Sequence, residues 1–313
     1  MSKVKVVYVP LRTLTEQDYI DRLEKIVWKG KFPTSPYVPN AKVWKLKDGW
    51  YMCSKTRKKF NARTGTIFRH SNLPLWKWFW AFQMYSSKQG ITAHQLMRSM
   101  GVDIKTAWFI LHRLRDVSNI DLFSKFNEMT EDFAKSEEVY ELDEVYPGGK
   151  NKNRHWDKKV PNSQGRSGKD KIPTFVMVKR GGNAIAKVVP NAKQKTLVPI
   201  IRKYIKKGST VNTDEWPAYK NLGKLYNHRI VNHRKKQYAK GKDHVNTAES
   251  FNARLKIRIY GTYIHISRKH AQRYVNEAVF RWNTRKYTDE ERFDLLLASV
   301  VGKRLTYREL IRG

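Results

Sequence analysis

The sequence predicts an α+β / α/β chain: a small β-rich module, a helical block, then a larger block with a sheet flanked by helices. Three observations carry this. From residue 136 onward the apolar pattern runs strand, strand, strand, helix, strand, possible strand, helix, helix. Before it, two helical segments, 92–100 and 104–115, are separated only by Gly101-Val102-Asp103. Nearer the N-terminus, after Pro33, Pro36 and Pro39, segments 42–52 and 60–68 read as short strands around a basic turn at 55–59.

Each element has a local reason. Leu23, Ile26 and Val27 give a short helix its apolar stripe. The run Leu75-Trp76-Lys77-Trp78-Phe79-Trp80-Ala81-Phe82 is apolar nearly all round, so it reads as a core helix. Ser71 or Asn72 can cap it, and Pro74 suits its first turn. Two helices around a short Gly-containing turn make the helix-turn-helix pattern, which an ordinary bundle shares. Its second helix carries Lys105, Thr106, His112 and Arg113 beside Ala107, Trp108, Ile110, Leu111 and Leu114. Further on, 139–146 reads as a strand, and 172–178 with 184–189 as a hairpin around Gly181-Gly182. Leu197, Ile200, Ile201, Tyr204 and Ile205 then repeat with helical spacing. Thr196 is placed to cap that helix, Pro199 to lie in its first turn and Gly208 to end it. A strand at 209–213 runs into Asp214, 226–231 is a possible strand, and 246–259 is helical. Val275, Ala278, Val279 and Trp282 mark a last long helix.

Charge narrows the function. Of 313 residues, 63 are Lys or Arg and 28 Asp or Glu, a formal net charge of +35, which calls for a polyanionic partner. Apolar residues at 40% allow true cores, so this is no disordered basic tail. Cys53 is the single cysteine, which excludes an internal disulfide framework and a cysteine-rich zinc site. No apolar run approaches the roughly 20 residues of a membrane span and no signal-peptide block opens the chain, so a cytoplasmic protein is expected.

Against this basic background, residues 128–144 concentrate acidic side chains. The stretch to Glu138 fits a solvated linker; Val139-Tyr140-Glu141-Leu142-Asp143-Glu144-Val145-Tyr146 fits a strand. Asp143 lies in that strand, Asp214 at the end of a later one, and Glu249, with 34 residues between it and Asp214, in the first turn of a helix. Each has an ordinary reading: an edge-strand charge, a turn starter, a charge favourable at a helix N-terminus. Together they suit phosphodiester chemistry, in which carboxylates from separate elements hold two divalent cations. Lys256, seven residues after Glu249, shares its helix face with Asn246, Ala253 and Tyr260, where a lysine could hold a phosphate.

These blocks resemble a known family. Glu141-Leu142-Asp143-Glu144-Val145-Tyr146 with Gly148-Gly149-Lys150 is similar to the first catalytic block of bacterial DDE transposases of the insertion-sequence-1595 family, relatives of the Merlin transposons. Thr213-Asp214-Glu215-Trp216-Pro217-Ala218-Tyr219 resembles the second block. His244-Val245-Asn246-Thr247-Ala248-Glu249-Ser250-Phe251, with Lys256, Gly261-Thr262-Tyr263, His265, Ser267, His270, Arg273-Tyr274, Glu277, Phe280-Arg281 and Asn283, resembles the third. Phe60, Gly65-Thr66-Ile67-Phe68, Leu75, Trp78, Gly101 and Thr106-Ala107-Trp108 fit the family's N-terminal region.

The resemblance implies a ribonuclease-H-like catalytic domain at 137–313, with a mixed sheet and a basic loop at 147–171. It implies metal-dependent strand cleavage and 3′-OH strand transfer, with two Mg²⁺ (or Mn²⁺) ions on Asp143, Asp214 and Glu249. Lys256 would lie on the phosphate side. Part of the family places an asparagine third, and both Asn246 and Glu249 are present here. Residues 1–69 would form a degenerate ribbon-like DNA-binding module without zinc, since the family's paired cysteines are missing. Residues 70–120 would be the helix-turn-helix domain and 121–136 a linker. Double-stranded DNA, as terminal inverted repeats and target, would be the partner of a homodimer or larger assembly. Lys105, Thr106, His112 and Arg113 would read bases, while Lys150, Lys152, Arg154, Lys158, Lys159, Arg166 and Lys169 would grip phosphates. A domesticated, non-catalytic DNA-binding protein and another ribonuclease-H-like nuclease are the alternatives.

Overall fold

The computed structural model describes residues 14–120, 138–149, 151, 154–163, 167–231 and 244–312. The acidic linker at 121–136 and the phosphate-gripping candidates Lys150, Lys152 and Arg166 lie outside the described residues. The chain divides into two units: residues 1–118 with 287–313, and residues 119–286. The boundaries differ from the sequence expectation at both ends. The ribbon-like and helical segments fall in one unit, and the last stretch of the expected catalytic domain falls in that unit too.

In the first unit, α1 (Glu16–Val27) opens on a Thr15 capping box and buries Tyr19 and Leu23. Three short antiparallel strands follow in the order β1 (Val43–Lys45), β2 (Tyr51–Cys53), β3 (Lys59–Phe60). Segment 42–52 is therefore a hairpin rather than one strand. It bends at Asp48-Gly49, where Gly49 takes φ 78° and Leu46 N–H donates to Trp50 O at 2.7 Å. Past Phe60, residues 61–68 form turns, with an isolated bridge from Thr66 to Val301, instead of the expected strand.

The apolar helix α2 (Leu75–Ser86) buries Leu75, Trp78, Phe79, Ala81, Phe82 and Tyr85. Around it, rings meet edge-on or tilted: Tyr19 with Phe79, Phe68 with Trp78, and both Phe79 and Phe82 with Phe293. Phe293 belongs to α8 (Asp289–Ala298), so the chain's end completes the core its beginning starts. Helix α3 (Ala93–Met100) ends at Gly101 in the left-handed conformation, and Asp103 caps α4 (Ile104–Val117). A short helix α9 (Tyr307–Arg312) follows.

The second unit is a five-stranded mixed sheet in the order β6-β5-β4-β7-β8. Strands β4 (Val139–Val145), β5 (Thr174–Lys179) and β6 (Ala184–Val188) form an antiparallel meander, and Gly181 takes φ 70° in the second turn. Strands β7 (Thr210–Thr213) and β8 (Asn227–Ile230) add on in parallel. The crossover from β6 to β7 is α5 (Gln194–Tyr204). It starts before Thr196, whose hydroxyl donates to Asn191 instead of capping, and this leaves Pro199 in the second turn rather than the first.

Period-2 alternation splits β4 between two cores. Tyr140 and Leu142 pack with Phe175, Met177, Leu197 and Ile201 on the α5 face. Val145 packs with Val176 and Val178 on the other face, under α6 (Asn246–Ile257) and α7 (Ala271–Asn283). After α6 the backbone continues as a π-turn, Arg258–Tyr263. Among the described residues no helix is long and apolar enough to cross a membrane.

Candidate active site

Strand order places Asp143. Strands β4 and β7 run parallel with Val139, Tyr140 and Glu141 opposite Thr210, Val211 and Asn212. Continuing that register brings Asp143 level with Asp214, just past the carboxyl end of β7. Residues level on neighbouring parallel strands, about 4.8 Å apart, share a face. Here it is the face under α6, and the crevice beyond the carboxyl ends of parallel strands is where open sheets place ligands. Asp143 Oδ1 accepts its neighbour Glu144 N–H at 2.8 Å, and its Oδ2 accepts the Asn252 side-chain amide at 2.7 Å. Asp214 Oδ1 accepts Trp216 N–H at 3.0 Å, an Asx turn that fixes the carboxylate as the chain leaves the sheet.

Two residues before Asp143 on the same face, Glu141 is fully buried. Helix α6 has no side-chain cap of its own at Val245, and Glu141 serves from across the interface. Its Oε2 accepts Thr247 N–H at 2.7 Å and Ala248 N–H at 3.1 Å. Its Oε1 accepts the Thr247 hydroxyl at 3.0 Å and Arg180 Nε at 2.9 Å. Arg180 and Asn212 each donate to His244 O at 3.1 Å, which holds the entry to the helix. A carboxylate at a helix N-terminus satisfies orphan donors and the helix dipole together. Thus α6 is fastened to β4 at Glu141 and again, between Asn252 and Asp143, at its middle.

This seating settles the faces of α6. Ala248, Phe251, Asn252 and Leu255 point to the sheet, while Asn246, Glu249, Ala253, Lys256 and Tyr260 are exposed. The expected strip is therefore present on the open side. Glu249 lies on it, one turn before Asn252. Among the described residues no three His, Cys, Asp or Glu side chains stand together as a metal centre. Asp143 and Asp214 are brought level, and Glu249 is not gathered with them. What this site offers is carboxylate and amide oxygen, a donor set that suits a hard divalent cation such as Mg²⁺ or Mn²⁺.

The opposite face backs the carboxylates. Glu144 is buried and accepts a hydrogen bond from the Tyr219 hydroxyl. Burial first, then Glu144, Asp214 and Asp143, push the Tyr219 phenol well above its ordinary 10.0, so it stays a donor at neutral pH. The same influence puts both aspartates within electrostatic reach of that hydroxyl. Tyr219→Phe removes a donor from a buried carboxylate, and urea unfolding is expected to show a loss of about 1–3 kcal/mol.

At the sheet edge, His228 Nε2 lies 2.9 Å from Thr213 Oγ1, beside Asp214. Burial lowers the His228 pKa from its ordinary 6.5. As pH falls through 6.5 the unfolded chain takes the proton before the folded one, so stability is lost on acidification below 6.5. Denaturation midpoints followed from pH 7 to 5 should fall, and His228→Asn should flatten that slope.

Gly148 has a steric reason. It bridges to Lys171 at φ 138°, and a Cβ there would lie 3.0 Å from Lys171 Cα. Its N–H donates to the Tyr260 hydroxyl at 3.2 Å, joining the loop after β4 to the π-turn that follows α6. Beyond it Arg154, Lys158, Lys159 and Lys169 are exposed.

In the first unit the expected reader helix is only partly open. Lys105 is exposed and Thr106 half-buried, its hydroxyl donating to Asp103. His112 and Arg113 are corrected: both are buried, so neither is presented to a DNA groove. His112 packs on the Trp108 ring. Arg113 donates to Leu305 O at 3.0 Å and Ile67 O at 2.7 Å, its guanidinium 4.4 Å from the Phe109 ring centre. Burial, with a further push from Arg304, lowers the Arg113 pKa to about 10, which leaves it charged at neutral pH.

Sequence reasoning missed Glu141, Asn252, Glu144, Tyr219 and Arg180. Two signals could have found the first two. Glu141 precedes Asp143 by one strand period, and Asn252 sits between Phe251 and Leu255 on the apolar side of its helix.

Known proteins resemble this chain in sequence. A family model described as an ISXO2-like transposase domain matches residues 136–283. An uncharacterized protein in transposable element ISH50 of Halobacterium salinarum is 27% identical over 209 residues, covering 64% of this chain and 67% of that protein. A chain in a crystal structure of a pre-cleavage Mos1 transpososome is 15% identical, with 69% of this chain and 75% of that one covered, at a TM-score of 0.24. That score is too low to bear on the fold. The matched segment begins just ahead of β4 and ends with α7, so it takes in the whole sheet, both fastenings of α6 and the three acidic blocks. Through residues 136–283 the chain is thus similar to the ISXO2-like transposase domain, of the insertion-sequence-1595 family that its motifs resemble.

Proposed function

We propose that the protein cuts DNA at the ends of an insertion sequence and joins the freed 3′-OH to target DNA. The observation that carries this reading is Asp143 level with Asp214 under a helix clamped to the same strand. The second unit then works as a ribonuclease-H-like domain. Asp143 and Asp214 present oxygen from rigid strand ends, and Glu249 joins them from the first turn of α6 when DNA is bound. Two Mg²⁺ (or Mn²⁺) ions, when bound, supply activation of the attacking oxygen and stabilisation of the leaving one. Lys256, two turns along the same exposed side, holds a phosphate oxygen. Cleavage and joining are both in-line displacements at phosphorus, so one set of side chains orients water first and the 3′-OH second.

Recognition belongs to the first unit, with its zinc-free ribbon-like sheet and the α3–α4 helix-turn-helix. The open first turn of α4, with Lys105 and Thr106, enters a major groove. Arg154, Lys158, Lys159 and Lys169 grip phosphates without reading sequence, together with Lys150, Lys152 and Arg166. Two ends must be joined, so two or more copies assemble on DNA. The test is nicking of a supercoiled donor carrying the element's ends, with Mg²⁺, comparing wild type with Asp214→Asn. Metal-dependent nicking that disappears while DNA binding persists supports the reading; cutting retained in the variant puts the active site elsewhere.

A further inference from the structure

We propose that Asn252 is part of the cation site. Its amide nitrogen sets the Asp143 carboxylate, and its amide oxygen is a ligand, direct or through one water, for the divalent cation that Asp143 holds. The inference rests on the reading that Asp143 binds such a cation.

Asn252 is 5% exposed and sits on the sheet-facing side of α6, between Phe251 and Leu255. A leucine would pack there without any polar atom to satisfy. The amide nitrogen donates to Asp143 Oδ2 at 2.7 Å, while Oδ1 is buried with no hydrogen-bond partner among the described residues. Turning the amide over does not cure this, because it would set Oδ1 against a carboxylate oxygen. The orientation is therefore fixed, and a hard oxygen is held beside the Asp143 carboxylate with nothing to bond. Buried carbonyl oxygens of this kind are expected to have a partner. Asparagine carbonyls are ordinary ligands of hard divalent cations, and a cation beside Asp143 would supply what the oxygen lacks. Of the two asparagines on α6, Asn246 is exposed at the helix start, and Asn252 is the one that contacts an acidic residue of the site.

The fastening also explains a division of labour on α6. Glu141 holds its end, where no substrate need come. Asn252 holds its middle, where the same side chain both fixes a carboxylate and completes a ligand set.

The test is Mn²⁺ binding to the full chain without DNA, read by electron paramagnetic resonance of free Mn²⁺, for wild type, Asp143→Asn, Asn252→Leu and Asn252→Asp. Thermal unfolding is read with and without Mn²⁺. Asn252→Leu is expected to weaken Mn²⁺ binding 10–100-fold with its circular dichroism unchanged. In Asn252→Asp a second carboxylate faces Asp143, so the metal-free variant should melt lower than wild type and Mn²⁺ should restore it, an effect no purely structural asparagine would give. Binding by Asn252→Leu within twofold of wild type overturns the inference. So does an Asp variant that Mn²⁺ fails to rescue, which decides the matter even if the Leu variant does not fold. If Asp143→Asn binds Mn²⁺ as wild type does, the cation reading of Asp143 fails and the inference with it. If Asp143→Asn loses Mn²⁺ while both Asn252 variants behave as wild type, the inference alone fails.

Discussion

Asp214→Asn is expected to reduce Mg²⁺-dependent nicking by about 10³-fold or more. A cation at a reacting phosphoryl centre contributes several kcal/mol of charge stabilisation, and each 1.36 kcal/mol is tenfold in rate. The substitution keeps the shape of the side chain and one oxygen, so Trp216 N–H still has its acceptor and the turn after β7 should hold. What is lost is the negative charge level with Asp143. DNA affinity should stay within about twofold, because phosphate gripping depends on the basic residues, whose number is unchanged. Single-turnover nicking and a salt-controlled binding titration separate the two quantities. An equal fall in both would assign Asp214 to the fold.

Glu141→Ala should be the most damaging stability change in the second unit. The carboxylate takes two backbone N–H groups, a hydroxyl and a guanidinium while fully buried. Truncation leaves Arg180 beside an apolar gap and the first turn of α6 uncapped. Breaking a buried ion pair from one side costs about 3–5 kcal/mol. For a unit of this size that is a fall in Tm on the order of 10 °C. Glu141→Gln keeps an acceptor for one partner and should lose less. Hydrogen exchange is the sharper measurement: the Thr247 and Ala248 amides should lose protection in Glu141→Ala before the β4–β5 core does. Uniform loss across the sheet would mean Glu141 matters to the whole unit and not to the helix start.

Much of the sheet was legible because its signals are local. The Gly181-Gly182 hairpin, the alternation in 139–146 and the crossover helix each need only neighbours in sequence. The positions of the two aspartates on the sheet could be read for the same reason, Asp143 within one strand and Asp214 just past another. The failures share one cause, namely contacts between residues far apart in the chain. The tail from Tyr287 looked like more of the catalytic domain, yet Phe293 packs on α2, and Leu305 and Tyr307 meet Arg113 and Phe109 on α4. That covering buries the second half of α4, where His112 and Arg113 had been expected among the base readers. A helix's own sequence does not show what lies against it. Asn252 and Glu141 were missed likewise, because the bonds that tie α6 to β4 span more than a hundred residues.

The return of the chain to its first unit has a consequence for biosynthesis. A nascent chain emerges in order, and domains tend to fold as soon as they are complete. The second unit, 119–286, is contiguous and can close while the ribosome is still at work. The first unit has most of its helices early but lacks Phe293, Leu296 and Leu297 until the stretch after residue 286 is made. The unit that starts first is thus completed after the second. A message cut short after the matched segment would yield a closed five-stranded sheet and a half-built first core. In such a product the missing tail would expose α2, with its buried Phe79 and Phe82, making it a target for chaperones and proteases.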